Sequence, residues 1–302
     1  MNQLGDNLML SQLNIPGTHE SCAHATYVHD WADCQDWSLQ DQLNHGIRYI
    51  DIRCRHINDG FDLYHGDVQI VSSLYSNAGL KFAADVRDVC VAFLKANPKE
   101  CIIMQIKRES SDSNNTQTFE QTLDGYLKGF ESFFYLDDHV PTLGEVRGKI
   151  VVVRRFGLDQ NSTPRGIAAL PWADNATFSV NYTAANRAAV RLEVQDQYQY
   201  SFNLFNPGAP IADKWNNISA LLDRAKSDTS NAWYINETSA TDLPELTPRS
   251  FATGLDGLPP TEGINPKLNN YLAGAPFPHR LGTLLADFPD DNMIGRIIGL
   301  NR

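Results

Sequence analysis

Two histidines stand where an extended run gives way to a turn. His19 lies in Ile15-Pro16-Gly17-Thr18-His19-Glu20-Ser21, and His65 lies in Tyr64-His65-Gly66. Pro16 and Gly17 break the first run and leave His19 at a rim, while Gly66 lets a ligand or backbone approach His65 closely. Between them, Tyr49-Ile50-Asp51-Ile52-Arg53-Cys54-Arg55 alternates apolar and charged residues, which places Asp51, Arg53 and Arg55 on one face of a strand. Charges on a buried face are costly unless they serve a site. These parts fit cleavage of a phosphodiester by an internal hydroxyl. A neutral imidazole takes the hydroxyl proton and an imidazolium protonates the leaving oxygen. Histidine titrates near neutral pH and can hold either state, and a guanidinium stabilises charge growing on the phosphate. The same parts would serve more than one phosphodiesterase, so they define a reaction class.

A scaffold must bring these scattered residues together. Apolar, β-rich runs predict strands at Leu10–Ile15, Arg48–Arg55, Phe61–His65, Cys101–Lys107, Lys149–Arg155, Arg191–Asp196, Ala232–Asn236 and Thr283–Phe288. Most are continuously apolar, as suits parallel strands covered on both faces. Helical spacing predicts helices at Leu39–Asn44, Ala78–Ala96, Thr116–Phe130, Asp213–Ala225 and Pro266–Ala273. The alternation implies an α/β chain folded as one distorted (β/α)8 TIM barrel over residues 1–302. Phe61–His65 follows its predecessor too closely for a helical crossover, which argues against a regular barrel. In such barrels the active site forms at the carboxyl ends of the strands. At or near those ends stand His19 and Glu20, Arg53, His65, Lys107, Arg155, Asp196 and Asp287.

A formal charge of −11 argues against nucleic acid as a partner and against strong electrostatic attraction to anionic membranes. No apolar run is long enough to span a bilayer. The first twenty residues carry neither a basic n-region nor an apolar h-region, so an exported, extracellular protein is expected here in its mature form. Five cysteines leave at least one unpaired. Cys22 and Cys34 are candidates for a bridge, whereas Cys54, Cys90 and Cys101 sit in apolar patterns and read as buried. Asn114, Asn175 and Asn236 open Asn-x-Thr triplets, which matter only in a glycosylating host.

The ordered set Ile15–Ser21, Asp51–Arg55, Tyr64–Gly66, Met104–Glu109, Gly148–Phe156, Val194–Tyr198 and Leu285–Phe288 resembles the bacterial phosphatidylinositol-specific phospholipases C, of the X-domain type. The likeness runs over almost the whole chain. It implies a distorted barrel and a two-step reaction: attack of the inositol 2-hydroxyl on phosphorus releases diacylglycerol and a cyclic inositol phosphate, and slower hydrolysis opens the ring. It also implies His19 as general base oriented by Asp287, His65 as general acid assisted by Glu20, and Arg53 on the phosphate. Lys107, Arg155, Asp196 and Tyr198 match residues that hold inositol hydroxyls and stack the ring. Arg154 and Arg155 point opposite ways on a strand, and Arg155 is expected at the mouth. Asp287 reads alternatively as a helix cap before Pro289-Asp290-Asp291.

The position of Glu20 is usually Asp in the metal-free members. Calcium-dependent relatives carry acidic ligands where Arg53 and Lys107 stand here. No cofactor is therefore expected; if calcium is used, Glu20 and Asp51 are its candidate ligands. The expected partners are phosphatidylinositol in membranes, with glycosyl-phosphatidylinositol anchors as a further candidate, met by peripheral contact of a monomer. Trp31, Trp37, Trp215 and the stretch Tyr198–Phe205, with Tyr200 and Phe202, are the aromatic candidates for that contact. Two rival readings are a glycerophosphodiesterase, which needs a carboxylate metal cluster that Asp51-Ile52-Arg53 lacks, and a binding protein for inositol phosphates, which would need no acid–base pair.

Overall fold

The computed structural model describes residues 1–73, 78–159, 163–184, 189–257, 260–274 and 279–302. Its strands are β1 (Ile15–Thr18), β2 (Tyr49–Ile57), β3 (Gly60–His65), β4 (Val68–Gln69), β5 (Ile102–Arg108), β6 (Phe134–Tyr135), β7 (Ile150–Arg155), β8 (Ile167–Ala168), β9 (Ala176–Thr183), β10 (Ala189–Asp196), β11 (Trp233–Glu237), β12 (Gly254–Leu255), β13 (Thr261–Glu262) and β14 (Thr283–Ala286). Its helices are α1 (Leu39–His45), α2 (Asp88–Ala96), α3 (Phe119–Leu127), α4 (Leu143–Val146), α5 (Ala209–Ser227), α6 (Pro248–Thr253), α7 (Ile264–Gly274) and α8 (Asp291–Gly299).

One sheet runs in the order β6-β7-β5-β2-β1-β14-β11-β10-β9. Its inner ladders are parallel, and β9 returns antiparallel along β10. Among the described residues no ladder joins the two edges. Side chains do the joining: Val153 and Ile167 on one edge share an apolar cluster with Val180 and Leu192 on the other. This is the expected barrel in distorted form.

Alternation along each strand sorts side chains between inside and outside. On β2, Tyr49 packs inward with Ile15, Ile103, Val151, Trp233 and Leu285, while Ile50, Ile52 and Cys54 pack outward against helices. Gly17 is the inward residue of β1, where a Cβ would meet the Tyr49 carbonyl at 2.9 Å; the barrel is too narrow there for a side chain. Following the inward row upward, each strand passes from apolar to polar: Ile15 to His19, Tyr49 to Arg53, Ile103 to Lys107, Val151 to Arg155, Leu192 to Asp196, Trp233 to Glu237 and Leu285 to Asp287. One period-two rule places all seven at one mouth.

Three expectations change. Leu10–Ile15 is not a strand: Leu10–Gln12 form a 3-10 turn whose Leu10, with Leu13, closes the barrel floor, and β1 begins only at Ile15. The segment lacks strand partners because the Asn14 side chain bonds its neighbours instead, accepting from the Leu281 amide at 2.6 Å and donating to the His279 carbonyl at 2.7 Å. Ala78–Ala96 does not start as a helix, since Gly79 and Lys81 bridge to Val71 and Asp62 of the hairpin; a π-helical turn at Phe82–Arg87 then leads into α2. The Cys22–Cys34 bridge is absent: all five cysteines are buried free thiols. Backbone draws the two segments together, with the Cys34 amide donating to Ala23 at 2.8 Å. The Cys34 thiol lies 3.9 Å from His65 Nδ1 and within 4.8 Å of ligand atoms of His19 and Asp287. The close-following Phe61–His65 strand is explained as well: β3 folds back antiparallel on β2 as a hairpin outside the barrel ladder.

Candidate active site

A cavity of about 240 Å³ opens at the polar end of the barrel, lined among others by His19, Arg53, His65, Lys107, Arg155, Asp196, Tyr198 and Asp287. His19 follows β1 directly, its carbonyl held by the Gln35 amide at 2.6 Å. Its Nδ1 lies 2.9 Å from Asp287 Oδ1, one residue past β14, the strand paired with β1. The cap of α8 is Asp290, whose side chain accepts from Met293 at 2.8 Å, so Asp287 is free of capping. His65 arrives from the β3 hairpin, and the two imidazoles meet edge to face with centroids 6.0 Å apart.

Arg53 sits at the centre of the charges. Its Nη1 lies 2.7 Å from Glu20 Oε1 and 3.9 Å from Glu109, and its Nε lies 3.0 Å from Asp51 Oδ2. Lys107 pairs with Glu109 at 2.7 Å, and Glu109 also accepts from the Gly66 amide at 3.0 Å, which ties the His65 turn to the barrel. Glu20 holds a positive φ of 43°, a conformation disfavoured for a residue with a Cβ, and it turns the carboxyl beneath Arg53.

Two cations thus face three carboxyls, and the protonation of the group follows from that excess. Burial raises the pKa of Glu20 well above the usual carboxylate range; Arg53 opposes this, and Glu109 and Asp51 add to it. Burial also opposes ionisation of Asp51, yet Arg53, His19, Arg155 and a hydrogen bond from Gln105 together hold its carboxyl well below the usual range. Asp51 therefore carries the charge and Glu20 the proton. His65 is pushed down to about 3, first by burial and then by Arg53 and His19, so in the empty site it is neutral. Its Nδ1 donates to the Ala32 carbonyl at 2.9 Å, which leaves Nε2 with the lone pair, 3.8 Å from Glu20 Oε1.

On the opposite wall the Arg155 guanidinium lies 3.6 Å above the Trp172 ring and 3.8 Å from Asp196, which accepts from Trp172 Nε1 at 2.7 Å. Arg154 points away and donates to the Phe156 carbonyl. Tyr198 donates to Asp174 at 2.9 Å, edging the cavity with a ring face. All nine site residues expected from the sequence therefore converge here, with Asp51 beneath them. Glu20 and Asp51, the candidate ligands if calcium were used, are both spanned by the Arg53 guanidinium.

Sequence reasoning missed Glu109, Trp172, Asp174 and Glu237. Glu109 and Glu237 were readable as the next inward positions after Lys107 and Ile235. Glu237 is fully buried, neither oxygen has a hydrogen-bond partner among the described residues, and burial, then Asp196 and Asp51, raise its pKa well above the usual range. Trp172 and Asp174 lie on an irregular loop that no periodicity marks. Of the aromatic rim candidates, Trp31 is half exposed at the cavity mouth. Trp37 instead stacks on His45, and Trp215 packs on Tyr271 between α5 and α7. Tyr200 and Phe202 are partly buried against the cluster around Phe251. Among the described residues the exposed large apolar side chains are Tyr27, Val28, Trp31, Leu204, Phe205 and Leu243, with Phe205 96% exposed.

Residues 13–156 match the family model described as "Phosphatidylinositol-specific phospholipase C, X domain". The 1-phosphatidylinositol phosphodiesterase of Listeria monocytogenes is 30% identical over 315 aligned positions, covering 100% of this chain and 84% of that protein. That of Staphylococcus aureus strain Newman is 32% identical over 241 positions, 76% of this chain and 70% of its own. Among solved structures, phosphatidylinositol-specific phospholipase C from Staphylococcus aureus superposes with a TM-score of 0.80 at 26% identity, covering 99% of this chain and 96% of that one. The Listeria monocytogenes enzyme superposes at 0.73 and 27% identity, covering 100% and 97%.

Proposed function

The chain belongs to the bacterial phosphatidylinositol-specific phospholipase C family, and from that premise we propose that its barrel mouth cleaves phosphatidylinositol to diacylglycerol and a 1,2-cyclic inositol phosphate. The observation that carries this reading is the meeting of His19 and His65, from separate elements, over an Arg53 that shares one Glu20 oxygen with His65.

His19 donates its Nδ1 proton to Asp287, which leaves Nε2 as the acceptor for the inositol 2-hydroxyl proton. The hydroxyl oxygen bonds to phosphorus as the phosphorus–glycerol oxygen bond breaks. Arg53 carries the growing charge on the phosphate oxygens. The leaving oxygen takes its proton from His65, which must first be charged. In the empty site burial, then Arg53 and His19, discourage that charge; a bound phosphodiester anion beside the imidazole offsets them and draws a proton onto His65 Nε2. Lys107, Arg155 and Asp196 offer donors and an acceptor to ring hydroxyls, and Tyr198 a stacking face. In the second, slower step water replaces the hydroxyl and the two histidines exchange roles. A pure binding site would not need this pairing, and a glycerophosphodiesterase would need the metal cluster whose place Arg53 fills.

Arg53 takes the place of a metal ion, so the reaction needs no calcium. The exposed Trp31 and Leu243 at the mouth, with Tyr27, Val28, Leu204 and Phe205, form the surface that meets the bilayer. Such contact relies on apolar insertion, since the net charge of −11 gives no attraction to anionic lipid.

Phosphorus NMR of phosphatidylinositol cleavage in EDTA, then with added calcium, tests both parts. Cyclic inositol phosphate forming in EDTA is the expected result. Activity only with calcium would overturn the role given to Arg53, and silence in both would overturn the reaction.

A further inference from the structure

One side chain at the centre of the site has no place in this chemistry. Cys34 is fully buried at the edge of an apolar cluster, and its thiol also reaches polar groups of the site. Its Sγ lies 3.9 Å from His65 Nδ1 and 3.7 Å from the Ala32 carbonyl. One ligand atom from each of Cys34, His19 and Asp287 lies within 4.8 Å of the other two. A second observation points to a ligand there: Asp287 is 2% exposed and its Oδ2 is buried with no hydrogen-bond partner among the described residues. Oδ1 alone satisfies His19.

We propose that His19, Cys34 and Asp287 form a capture site for a thiophilic divalent cation of the zinc class, whose binding switches the hydrolytic centre off. The donor set decides the class. Thiolate, imidazole and carboxylate together suit Zn²⁺, which takes three protein ligands and a fourth open position, whereas calcium wants oxygen alone. Zinc bonds of roughly 2.0–2.3 Å place tetrahedral ligands about 3.3–3.7 Å apart. The His19–Asp287 spacing of 2.9 Å would open slightly and the thiol would close in by about an ångström or less. His19 and Asp287 both line the cavity, which leaves the fourth position to water.

Charge and proton balance then explain the inhibition. Cys34 binds as thiolate and releases its proton to solvent. His19 coordinates through Nδ1, so the single proton of the neutral imidazole resides on Nε2. That nitrogen faces the substrate as a donor and cannot accept the 2-hydroxyl proton, and Asp287 no longer orients the ring. The inhibitory consequence rests on His19 being the base; the cation site does not.

The test titrates the intact, reduced protein with Co²⁺ alone, without substrate. The expected result is a sulfur-to-cobalt charge-transfer band that Zn²⁺ displaces, that is lost in Cys34→Ser and that persists in Cys22→Ser. Zn²⁺ should also inhibit phosphatidylinositol cleavage reversibly by EDTA, with Cys34→Ser needing roughly 10–100-fold more zinc. No band, or a band unchanged in Cys34→Ser, would overturn the proposal. A Cys34-dependent band with turnover untouched by zinc would uphold the cation site and refute His19 as the base. Should Cys34→Ser fold poorly, wild-type protein still decides: Zn²⁺ must slow alkylation of the Cys34 peptide, and an unchanged rate would overturn the site.

Discussion

Replacing Asp287 by Asn isolates the orientation of the base. The two side chains have nearly the same shape, so packing is kept while the charge is removed. On the proposed mechanism His19 takes the hydroxyl proton and becomes an imidazolium 2.9 Å from the Asp287 oxygen. At an effective dielectric of about 20, opposite unit charges at that separation attract by about 6 kcal/mol. At about 1.36 kcal/mol per decade that amounts to roughly four decades in rate. The amide also lets His19 Nδ1 act as an acceptor, which puts the proton on the wrong nitrogen; a carboxylate-to-amide change in a comparable dyad costs about 10⁴. Cleavage of phosphatidylinositol in mixed micelles, with both phases followed, should therefore fall about 10³- to 10⁴-fold in Asp287→Asn. KM should move little and the thermal melt should stay near that of the wild type. A loss of less than about tenfold in a folded variant would refute the coupling between Asp287 and His19.

The remaining expectations concern charge, pH and the membrane. Arg53→Met should abolish cleavage and, by leaving the buried Asp51 carboxylate without its cation, lower stability by roughly 3–5 kcal/mol in urea unfolding; a fully active or fully stable variant would contradict its central place. His65 titrates ordinarily at 6.5 and at about 3 in the fold. Between those values the unfolded chain holds a proton that the folded chain refuses, so this contribution to stability is present above about 6.5 and drains away as pH falls toward 3. Wild type should thus lose a few kcal/mol more than His65→Asn between pH 7 and pH 4 in urea unfolding, and equal losses would disprove the depressed value. At the rim, Trp31→Ala with Phe205→Ser should weaken binding to phosphatidylcholine vesicles several-fold and spare turnover of a water-soluble inositol phosphodiester; unchanged vesicle binding would move the membrane surface elsewhere.

The sequence by itself determined the reaction class and most of the candidate site, because strand periodicity is local. Inward positions recur every second residue, so His19, Arg53, Lys107, Arg155, Asp196 and Asp287 could each be placed at a strand end from their own neighbours. The same rule reaches Glu109 and Glu237, the next inward positions after Lys107 and Ile235. Local pattern failed where long-range partners decide structure. Leu10–Ile15 reads as a strand, but the barrel floor claims Leu10 and Leu13 as a plug. Ala78–Lys81 reads as helix, but the β3 hairpin claims its backbone.

Only the tertiary structure decided the electrostatics. That Arg53 spans Glu20 and Asp51, that the pKa of Glu20 is driven up and that of Asp51 down, and that His65 is neutral in the empty site all depend on burial and on distances between residues far apart in the chain. The thiols show the same division. Spacing suggested joining Cys22 to Cys34, whereas packing leaves both thiols free and brings that of Cys34 within reach of His19 and Asp287. Side-chain direction about a loop is set by the whole barrel closing around it, and no short stretch of sequence carries that information.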